Sequence, residues 1–356
     1  MADSSKSGQR GWWDRFGPFF GLFVVVALFA VMLALKDASD YRAQEISSGK
    51  SVGWIAALKA CDLGGLKAFL GVTNFKTVLA QTVIVAIGAL GMTMVIVSGG
   101  IDLSVGSAVA LTSVIGATLS LKGWSESGVI TATVLAGGGI GLINGLIIAG
   151  FRMLPFIVTL GMMGVGRGVA KWIAQNQTVN TPPEAPVNNL MKMVDFDHFF
   201  PLPTGVWITA GLAIATTILL RRTVFGRHIF AIGSNESTAR LCGIRVELTK
   251  VMIYALSGLF VGCAGLMQLT RLTQGDPSGA AGLELDIIAA VVIGGASLNG
   301  GTGSIAGSMI GALTIQALRN GSSLMNWPTF VQEIIIGVVI ILAVGLDKWR
   351  QSRAAH

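Results

Sequence analysis

The chain has 356 residues, of which 52% are hydrophobic and only 12% are charged. Because soluble domains carry about 25% charged residues, this composition excludes a large soluble domain and predicts an all-α polytopic membrane protein. The net charge of +7 does not indicate a nucleic-acid partner, because the basic residues lie mainly at the ends of apolar segments.

Apolar segments recur along the chain after a polar, basic tail at residues 1–17. We predict about ten membrane spans within a single membrane domain, 18–346, followed by a second short tail at 347–356. Several spans approach the roughly 20 residues that are needed to cross about 30 Å of hydrocarbon. The predicted spans lie at 18–35, 78–98, 103–121, 128–150, 154–174, 205–220, 251–271, 284–298, 303–320 and 330–346.

Lys and Arg concentrate in the segment 221–250 and near both chain ends. Since cytoplasmic loops carry an excess of these residues, an even number of spans places 221–250 and both termini in the cytoplasm. Residues 36–77 then form an extracytoplasmic insertion, although they hold six basic residues against four acids. We expect this insertion to lie on the outer membrane surface as interfacial helix.

A glycine-rich string, GGIDLSVGS at 99–107, returns in related form as GGASLNGGT at 294–302, 195 residues later. Broken backbone and an ionisable side chain are costly in hydrocarbon, so both usually line a cavity or a protein interior. Two such strings in corresponding places are typical of an internally repeated transporter, with broken or re-entrant helices beside them. The predicted helix-breaking glycines are Gly99, Gly100, Gly294 and Gly295.

The direction of this internal repeat has two interpretations. The two strings lie six predicted spans apart and on the same side of the membrane, which makes the repeat parallel. A second match pairs Gly141 and Gly145 with Gly307 and Gly311. That match lies five spans apart and makes the repeat inverted, so the direction stays open at this point.

Acidic and polar residues beside the strings are candidates for a pathway through the membrane. As helix N-caps or first-turn acids, Asp102, Glu284 and Asp286 would satisfy free backbone N–H groups. As pathway residues they would suit a hydroxylated solute, and an intramembrane carboxylate at Asp102 or Glu284 could instead bind a coupling proton or sodium ion. The candidate pathway residues are Asp102, Ser104, Glu284, Asp286 and Asn299.

A short capped helix is predicted within the basic segment 221–250. Asn235 can accept hydrogen bonds at the helix N-terminus, Glu236 suits the first turn, and Gly243 suits the C-terminal end. Because so short a helix is unstable alone in water, we expect it to pack against another structure. It is either a connector on the membrane surface or a docking helix for a cytoplasmic partner.

Catalytic, metal and nucleotide sites are not indicated. The histidines, His198, His228 and His356, are not spaced as metal ligands with one another or with cysteine. The string GKS at 49–51 resembles the end of a phosphate loop, but position 44 holds Gln44 where such a loop needs glycine. We expect no catalytic residue, metal or cofactor in this chain, so any ATP must be bound by another subunit.

Three motifs in order carry a resemblance to a known family. They are VSGGIDLSVGS at 97–107, GSNE at 233–236 followed by Arg240 and Gly243, and GLELDIIAAVVIGG at 282–295. Together they resemble the membrane permeases of bacterial ABC sugar importers of the ribose, xylose and autoinducer type. The resemblance covers roughly residues 75–346, and it departs from the family at 36–72, where about 30 extra residues intervene.

The resemblance implies a bacterial inner-membrane permease, surrounded by lipid, that works with a second copy of itself or a paralogue. It implies a cytoplasmic ATP-binding subunit, which holds ATP and Mg, and a periplasmic sugar-binding protein. The expected function is import of a monosaccharide or related polyol by alternating access. The alternative is an ion-coupled secondary transporter that uses Asp102 or Glu284. The residues implied to couple to the ATPase are Asn235, Glu236, Arg240 and Gly243.

Overall fold

The computed structural model describes residues 5–191 and 202–354, and most of this part of the chain is helical. The helices are α1 (Ser5–Ser47), α2 (Trp54–Ala60), α3 (Gly64–Leu70), α4 (Val72–Val97), α5 (Val105–Leu121), α6 (Glu126–Gly150), α7 (Pro155–Ile173), α8 (Thr204–Arg222), α9 (Val224–Ser234), α10 (Glu236–Leu241), α11 (Val246–Leu272), α12 (Leu283–Ile293), α13 (Ile305–Leu324) and α14 (Thr329–Ala354). Two-residue strands, β1 (Val179–Asn180) and β2 (Gln274–Gly275), pair antiparallel, and Pro186–Met191 forms a 3-10 helix. The predicted all-α class is confirmed.

Six of the described helices are long and apolar enough to cross a membrane: α1, α4, α6, α7, α8 and α11. Two shorter apolar helices are α5 and the first part of α14, Thr329–Leu342. The chain is therefore a multi-pass membrane protein, while the count of ten spans stays a prediction. The 11-residue α12 is only about 16 Å long, which is too short to cross the hydrocarbon by itself.

α4 lies at the centre of the bundle. Of its most apolar 18-residue window, 89% is buried, against 22% for α7 and for α8. It packs against α8, α11, α12 and α13. Because protein surrounds this window on nearly all sides, the polar side chains of Thr82 and Thr93 are buried against other helices, at 5% and 0% exposed.

α11 packs closely along α6 through small residues. A Cβ atom added to Gly141 would lie 2.8 Å from the Cα of Gly258, and one added to Gly262 would lie 2.6 Å from the carbonyl oxygen of Val134. Such contacts let two membrane helices approach until their backbones touch. This pairing holds α6, on the outside of the bundle, against the core.

α1 is longer than the span predicted for it. Its 43 residues give a helix of about 65 Å that continues from the predicted tail 1–17 into the predicted insertion 36–77. Within that insertion α2 and α3 pack on α1, and Asp37 Oδ2 accepts hydrogen bonds from the backbone N–H groups of Gly65 (2.9 Å) and Leu66 (3.2 Å). The boundaries of tail and insertion stay predictions, and residues 1–4 and 355–356 of the tails lie outside the described residues.

Between α8 and α11 the structure contains two helices, where one was predicted. α9 precedes the predicted short helix α10 and buries Ile229 and Ile232, which are 0% and 2% exposed. These isoleucines are three residues apart and share one face of α9. Arg227 and His228 lie next to these isoleucines in the sequence, which is why the sequence indicated a basic loop here rather than a packed helix.

Candidate functional site

The two glycine strings form the turns that join α4 to α5 and α12 to α13. The N–H of Gly99 donates to Ile96 O (2.9 Å), and the N–H of Gly295 donates to Val292 O (2.9 Å). Both glycines are left-handed, with φ of +84° and +89°. This is the Schellman C-terminus, which favours glycine because a side chain at positive φ is strained. The predicted span 284–298 therefore ends as a helix at Ile293.

The two turns have the same backbone hydrogen bonds, although the equivalent glycines are offset by one residue from the sequence alignment. Gly99 and Gly295 occupy the same position in their turns and are 196 residues apart, one more than the sequence offset. In both turns the next N–H group also bonds the helix: Gly100 N to Val95 O (2.9 Å) and Ala296 N to Val291 O (3.1 Å). The four predicted helix-breaking glycines thus all lie at helix ends, and the internal repeat stays a prediction.

Asp102 lies in the first of these turns, buried at 4% exposed. Its Oδ1 accepts hydrogen bonds from the N–H (2.9 Å) and the hydroxyl (2.6 Å) of Ser104, and Asn144 of α6 donates to the same hydroxyl at 3.0 Å. No Lys, Arg or His among the described residues forms an ion pair with Asp102. Asn144 Oδ1 and Tyr254 Oη are among the buried polar atoms of the described residues that have no hydrogen-bond partner. Asp102, Ser104 and Asn144 form a buried, hydrogen-bonded polar cluster at the start of α5.

A polar cavity of about 350 Å³ lies between α4, α11, α12, α13 and α14, at the end of α4, α12 and α13 that is remote from the glycine turns. Four glutamines, two arginines and one aspartate contribute to it. Amide and guanidinium groups donate hydrogen bonds, and amide and carboxylate oxygens accept them, so this wall can replace water around a hydroxylated solute. Its polar lining is Gln81, Gln268, Arg271, Asp286, Gln316, Arg319, Asn320, Ser323 and Gln332.

Asp286 and Arg319 form a two-point ion pair in the wall of this cavity. Nε of Arg319 lies 2.9 Å from Oδ2 of Asp286, and Nη2 lies 2.9 Å from Oδ1. The Asp286 side chain is 6% exposed and that of Arg319 is 27% exposed. This geometry is the strong, planar form of a charge-assisted hydrogen bond, and it joins α12 to α13. Arg271 lines the same cavity and forms no ion pair with the described residues.

The other predicted pathway residues lie outside the cavity lining. Glu284, in the first turn of α12, accepts a hydrogen bond from Gly282 N–H (3.3 Å) and faces Gly106 at the start of α5. Asn299 is exposed in the turn between α12 and α13. Of the five predicted pathway residues, the structure brings Asp286 to the cavity and groups Asp102 with Ser104 elsewhere, and a transport role for any of them stays a prediction.

The predicted capped helix is confirmed as α10. Asn235 Oδ1 accepts a hydrogen bond from Thr238 N–H (2.9 Å) at its start. Gly243, with φ of +83°, donates to Arg240 O (3.0 Å) at its end. These are the N-cap and left-handed C-terminus that the residue types indicate. A role of α10 in coupling to an ATPase stays a prediction.

Ion pairs hold α10 on the start of α11. Oε1 of Glu236 lies 3.4 Å from Nη2 of Arg240, and Oε2 of Glu236 lies 2.7 Å from Nζ of Lys250. Arg240 also forms an ion pair with Glu247. The hydrogen bond with Glu247 raises the pKa of Arg240 above its ordinary value. By contrast Leu241, at the end of α10, is 89% exposed. Charged residues thus fix α10 on the membrane domain, while an apolar side chain is left without cover.

Sequence reasoning missed Leu241 and most of the cavity. The signal for the cavity was present, because Gln268, Gln316 and Arg319 interrupt predicted apolar spans, where polar side chains are rare and usually face the protein interior. Within the described residues no group of three or more His, Cys, Asp and Glu could hold a metal ion. His198 and His356 lie outside those residues.

Comparison with known proteins agrees with the architecture. The family model for the branched-chain amino acid transport system / permease component matches residues 74–344. The ribose import permease protein RbsC of Escherichia coli (strain K12) is 40% identical over 289 residues, which cover 80% of this chain and 88% of that protein. No solved structure matches the chain.

Two further relatives are sugar transport proteins by name. The L-arabinose ABC transporter permease protein AraH of Azospirillum brasilense is 36% identical, covering 80% of this chain and 83% of that protein. The xylose transport system permease protein XylH of Escherichia coli (strain K12) is 34% identical, covering 81% and 88%. The resemblance that the three motifs carry is confirmed. The chain therefore belongs to the family of branched-chain amino acid transport system / permease components, and it is a transport subunit rather than an enzyme.

Proposed function

We propose that this chain is the membrane permease of an ATP-driven importer for a five-carbon sugar or a similar polyol. The observation that carries the proposal is the polar cavity of about 350 Å³ in a chain that is 34–40% identical to permeases named for ribose, L-arabinose and xylose. A neutral polyol carries no charge, so a protein binds it through many weak hydrogen bonds rather than through an ion pair. The four glutamines around the cavity offer such contacts.

Asp286 and Arg319 keep the cavity polar without offering an isolated charge to the solute. Because each satisfies the other, a passing hydroxyl group exchanges hydrogen bonds with this pair and is not held by an unpaired ion there, which leaves Arg271 as the cavity cation without an ion-pair partner among the described residues. We propose that Gln268 and Gln316, on the facing helices α11 and α13, make the direct contacts with the sugar. Glu284, Asn299 and the Asp102–Ser104 cluster then act by fixing the helix ends.

α10 is proposed to seat on a cytoplasmic ATP-binding subunit, which holds ATP and Mg. Asn235 and Gly243 cap the helix, Glu236 and Arg240 fix it on α11, and Leu241 offers the apolar contact. An exposed leucine on a helix held by ion pairs suits a partner with an apolar groove. The segment 235–244 is therefore proposed as the coupling element of an alternating-access cycle.

The assembly that we propose has further members. A periplasmic sugar-binding protein delivers the substrate, and a second copy of this chain or a paralogue completes the permease in the lipid of the bacterial inner membrane. In this proposal both termini and 221–250 lie in the cytoplasm, and the chain forms about ten spans with an internal repeat, of which the one at α12 is broken at its glycine turn. The similar Schellman ends at Gly99 and Gly295 support the repeat.

An ion-coupled carrier is the competing function. The observation that favours it is the buried Asp102 carboxyl group, which has no cationic partner among the described residues. A carrier of that kind transports sugar when it is reconstituted alone and loses uptake when the proton or sodium gradient is collapsed. The ATP-driven importer transports only with its ATPase, and its uptake survives that collapse.

The first test is purification of the tagged protein from its native membrane in a mild detergent, with partners identified by mass spectrometry. We expect an ATP-binding subunit in stoichiometric amount. Leu241→Ser, which changes the exposed leucine of α10, should reduce the amount of that subunit. The matched control is Leu70→Ser, which changes a leucine that is 59% exposed and remote from α10 and should retain the subunit. Absence of the ATP-binding subunit under conditions that preserve such complexes contradicts the proposal and favours the ion-coupled carrier.

A further inference from the structure

Three backbone segments meet where α4 and α9 end. The N–H of Gly301 donates a hydrogen bond to the carbonyl oxygen of Val97 (2.8 Å). A Cβ added to Gly233 would lie 2.6 Å from the nitrogen of Gly301 and would overlap that carbonyl oxygen. A Cβ added to Gly300 would lie 2.8 Å from the oxygen of Gly233. We call Val97, Gly233, Gly300 and Gly301 the glycine junction.

The contacts that join Gly233 to Val97 and to Gly301 are made by backbone atoms, with no side chain between the segments. Gly300 and Gly301 have φ of +85° and +75°, so the turn between α12 and α13 also depends on glycine at these two positions. Because these contacts are backbone to backbone, we infer that a displacement of α9 moves the end of α4 and the turn 300–301 with it, since no side-chain rotation between them can absorb the shift.

One side of the glycine junction leads directly to α10. Gly233 is the residue before Ser234, which ends α9, and α10 starts at Glu236. Asn235 joins the two helices: its N–H donates to Ala231 O in α9 (3.1 Å), and its side chain caps α10. Movement of α10 therefore reaches Gly233 without passing through a flexible linker.

The other side of the glycine junction leads to the cavity. α4 ends at the junction and carries Gln81 at the cavity. α12 and α13 flank the turn that contains Gly300 and Gly301, and they carry Asp286 and Arg319 at the cavity. α4, which ends at the junction, and α12 and α13, which flank its turn, therefore build a large part of the cavity wall.

We propose that the glycine junction is the rigid link through which movement of α10 changes the shape of the cavity. Gly233 is thus a positioning residue that contacts neither sugar nor nucleotide. This inference rests on the proposed function, because it requires an ATPase that moves α10. The requirement for glycine at 233 follows from the contacts with Val97 and Gly301, independently of which sugar is carried.

The test compares wild type, Gly233→Ala and Gly168→Ala, each co-purified with its ATPase and reconstituted in liposomes with the sugar-loaded binding protein. Gly168, on α7, has open space around its Cα and serves as the matched control. We expect Gly233→Ala to retain the ATPase subunit and its basal ATP hydrolysis while sugar uptake falls at least about tenfold, within the range of typical coupling factors. Gly168→Ala should match wild type.

If Gly233→Ala does not assemble with its ATPase, Gly303→Ala and the double variant Val97→Ala/Gly303→Ala test the role of the glycine junction instead. A Cβ added to Gly303 would lie 2.6 Å from Cγ2 of Val97, so Gly303→Ala disturbs the junction through a side chain. Val97→Ala removes that methyl group. We expect Gly303→Ala to lower uptake per ATP hydrolysed and the double variant to restore it.

The outcomes separate the two proposals. Wild-type uptake that does not depend on ATP overturns the proposed function and, with it, this inference. ATP-driven wild-type uptake with equal uptake per ATP in assembled Gly233→Ala overturns the glycine junction alone. So does a loss in Gly303→Ala that Val97→Ala fails to restore. Uncoupling in Gly233→Ala, or rescue in the Gly303 pair, supports it.

Discussion

At the end of the helix bundle that is remote from the glycine turns, α4, α12 and α13 surround a cavity with the long polar side chains of Gln81, Asp286 and Arg319. At the other end the same helices bring backbone against backbone, with Gly301 N–H bonded to Val97 O. Long side chains have rotamers with which to adapt to a solute, whereas glycine contacts leave no such freedom. The adaptable and the rigid parts of the bundle are thus separated along the same three helices.

The largest effect is expected when the ion pair at the cavity end is broken. Arg319→Met leaves the Asp286 carboxylate, 6% exposed, without its cation. Removing one partner of a buried ion pair typically costs about 3–5 kcal/mol. We expect a strong loss of folded protein, measured as a lower midpoint of thermal unfolding in detergent.

The double variant Asp286→Asn/Arg319→Met is the control, because it removes the isolated charge. It should recover most of the lost stability, although it removes more side-chain hydrogen bonds than the single change. Equal stability of Arg319→Met and wild type would show that water, rather than Arg319, satisfies Asp286 in the cavity.

A smaller loss is expected at the rigid end from Gly294→Ala. The added Cβ would lie 2.5 Å from the nitrogen of Ser308 and from the carbonyl group of Gly307, which are backbone atoms of α13. Overpacking of this kind typically costs about 1–3 kcal/mol. Gly139→Ala, in α6 with open space at the Cβ position, should be neutral or stabilising by thermal unfolding. Similar losses in both variants would contradict the close backbone contact.

Asp102 should tolerate replacement by asparagine better than replacement by alanine. Asp102 accepts hydrogen bonds from Ser104 through Oδ1 alone, and an asparagine oxygen can replace that acceptor. Asp102→Asn should therefore keep thermal stability near wild type, and Asp102→Ala should lose about 1–2 kcal/mol. Uptake should fall more than expression in Asp102→Asn if Asp102 also serves the pathway. Failure of Asp102→Asn to fold would instead assign Asp102 to structure alone.

The smallest effect on the permease itself is expected at α10. Leu241→Ser removes an apolar side chain that is 89% exposed, so the isolated permease should keep its unfolding midpoint. The loss should appear only in the complex, as weaker binding of the ATPase by about tenfold in Kd. Binding can be measured by titration of the ATPase onto immobilised permease. An unchanged Kd would remove Leu241 from the proposed docking surface.

Long apolar runs and cap residues were readable from the sequence because each acts locally. The ends of α10 follow from Asn235 and Gly243, and the Schellman turns follow from Gly99 and Gly295. The cavity was not readable in this way. Its polar residues stand singly on several helices, and the pairing of Asp286 with Arg319 depends on how α12 packs against α13.

The glycine junction was even further from a local pattern. Gly233 and Gly301 are separated by 68 positions, and only the folded chain shows that a side chain at either would meet the other segment. α9 was missed for a different reason. Gly226, Ile229 and Ile232 share one buried face at helical spacing, but Arg227 and His228 between them led the segment to be interpreted as part of a basic loop.

The most direct measurement follows the cavity while the ATPase changes state. Ala281, an exposed residue of the cavity lining, is replaced by Cys after the free cysteines Cys61, Cys242 and Cys263 have been changed to Ser. The rate of labelling by a membrane-impermeant thiol reagent is then compared without nucleotide and with ATP plus vanadate. We expect the rate to change about tenfold with Gly233 present and to change little in Gly233→Ala. An equal change in both would contradict the claim that the glycine junction carries the movement of α10 to the cavity.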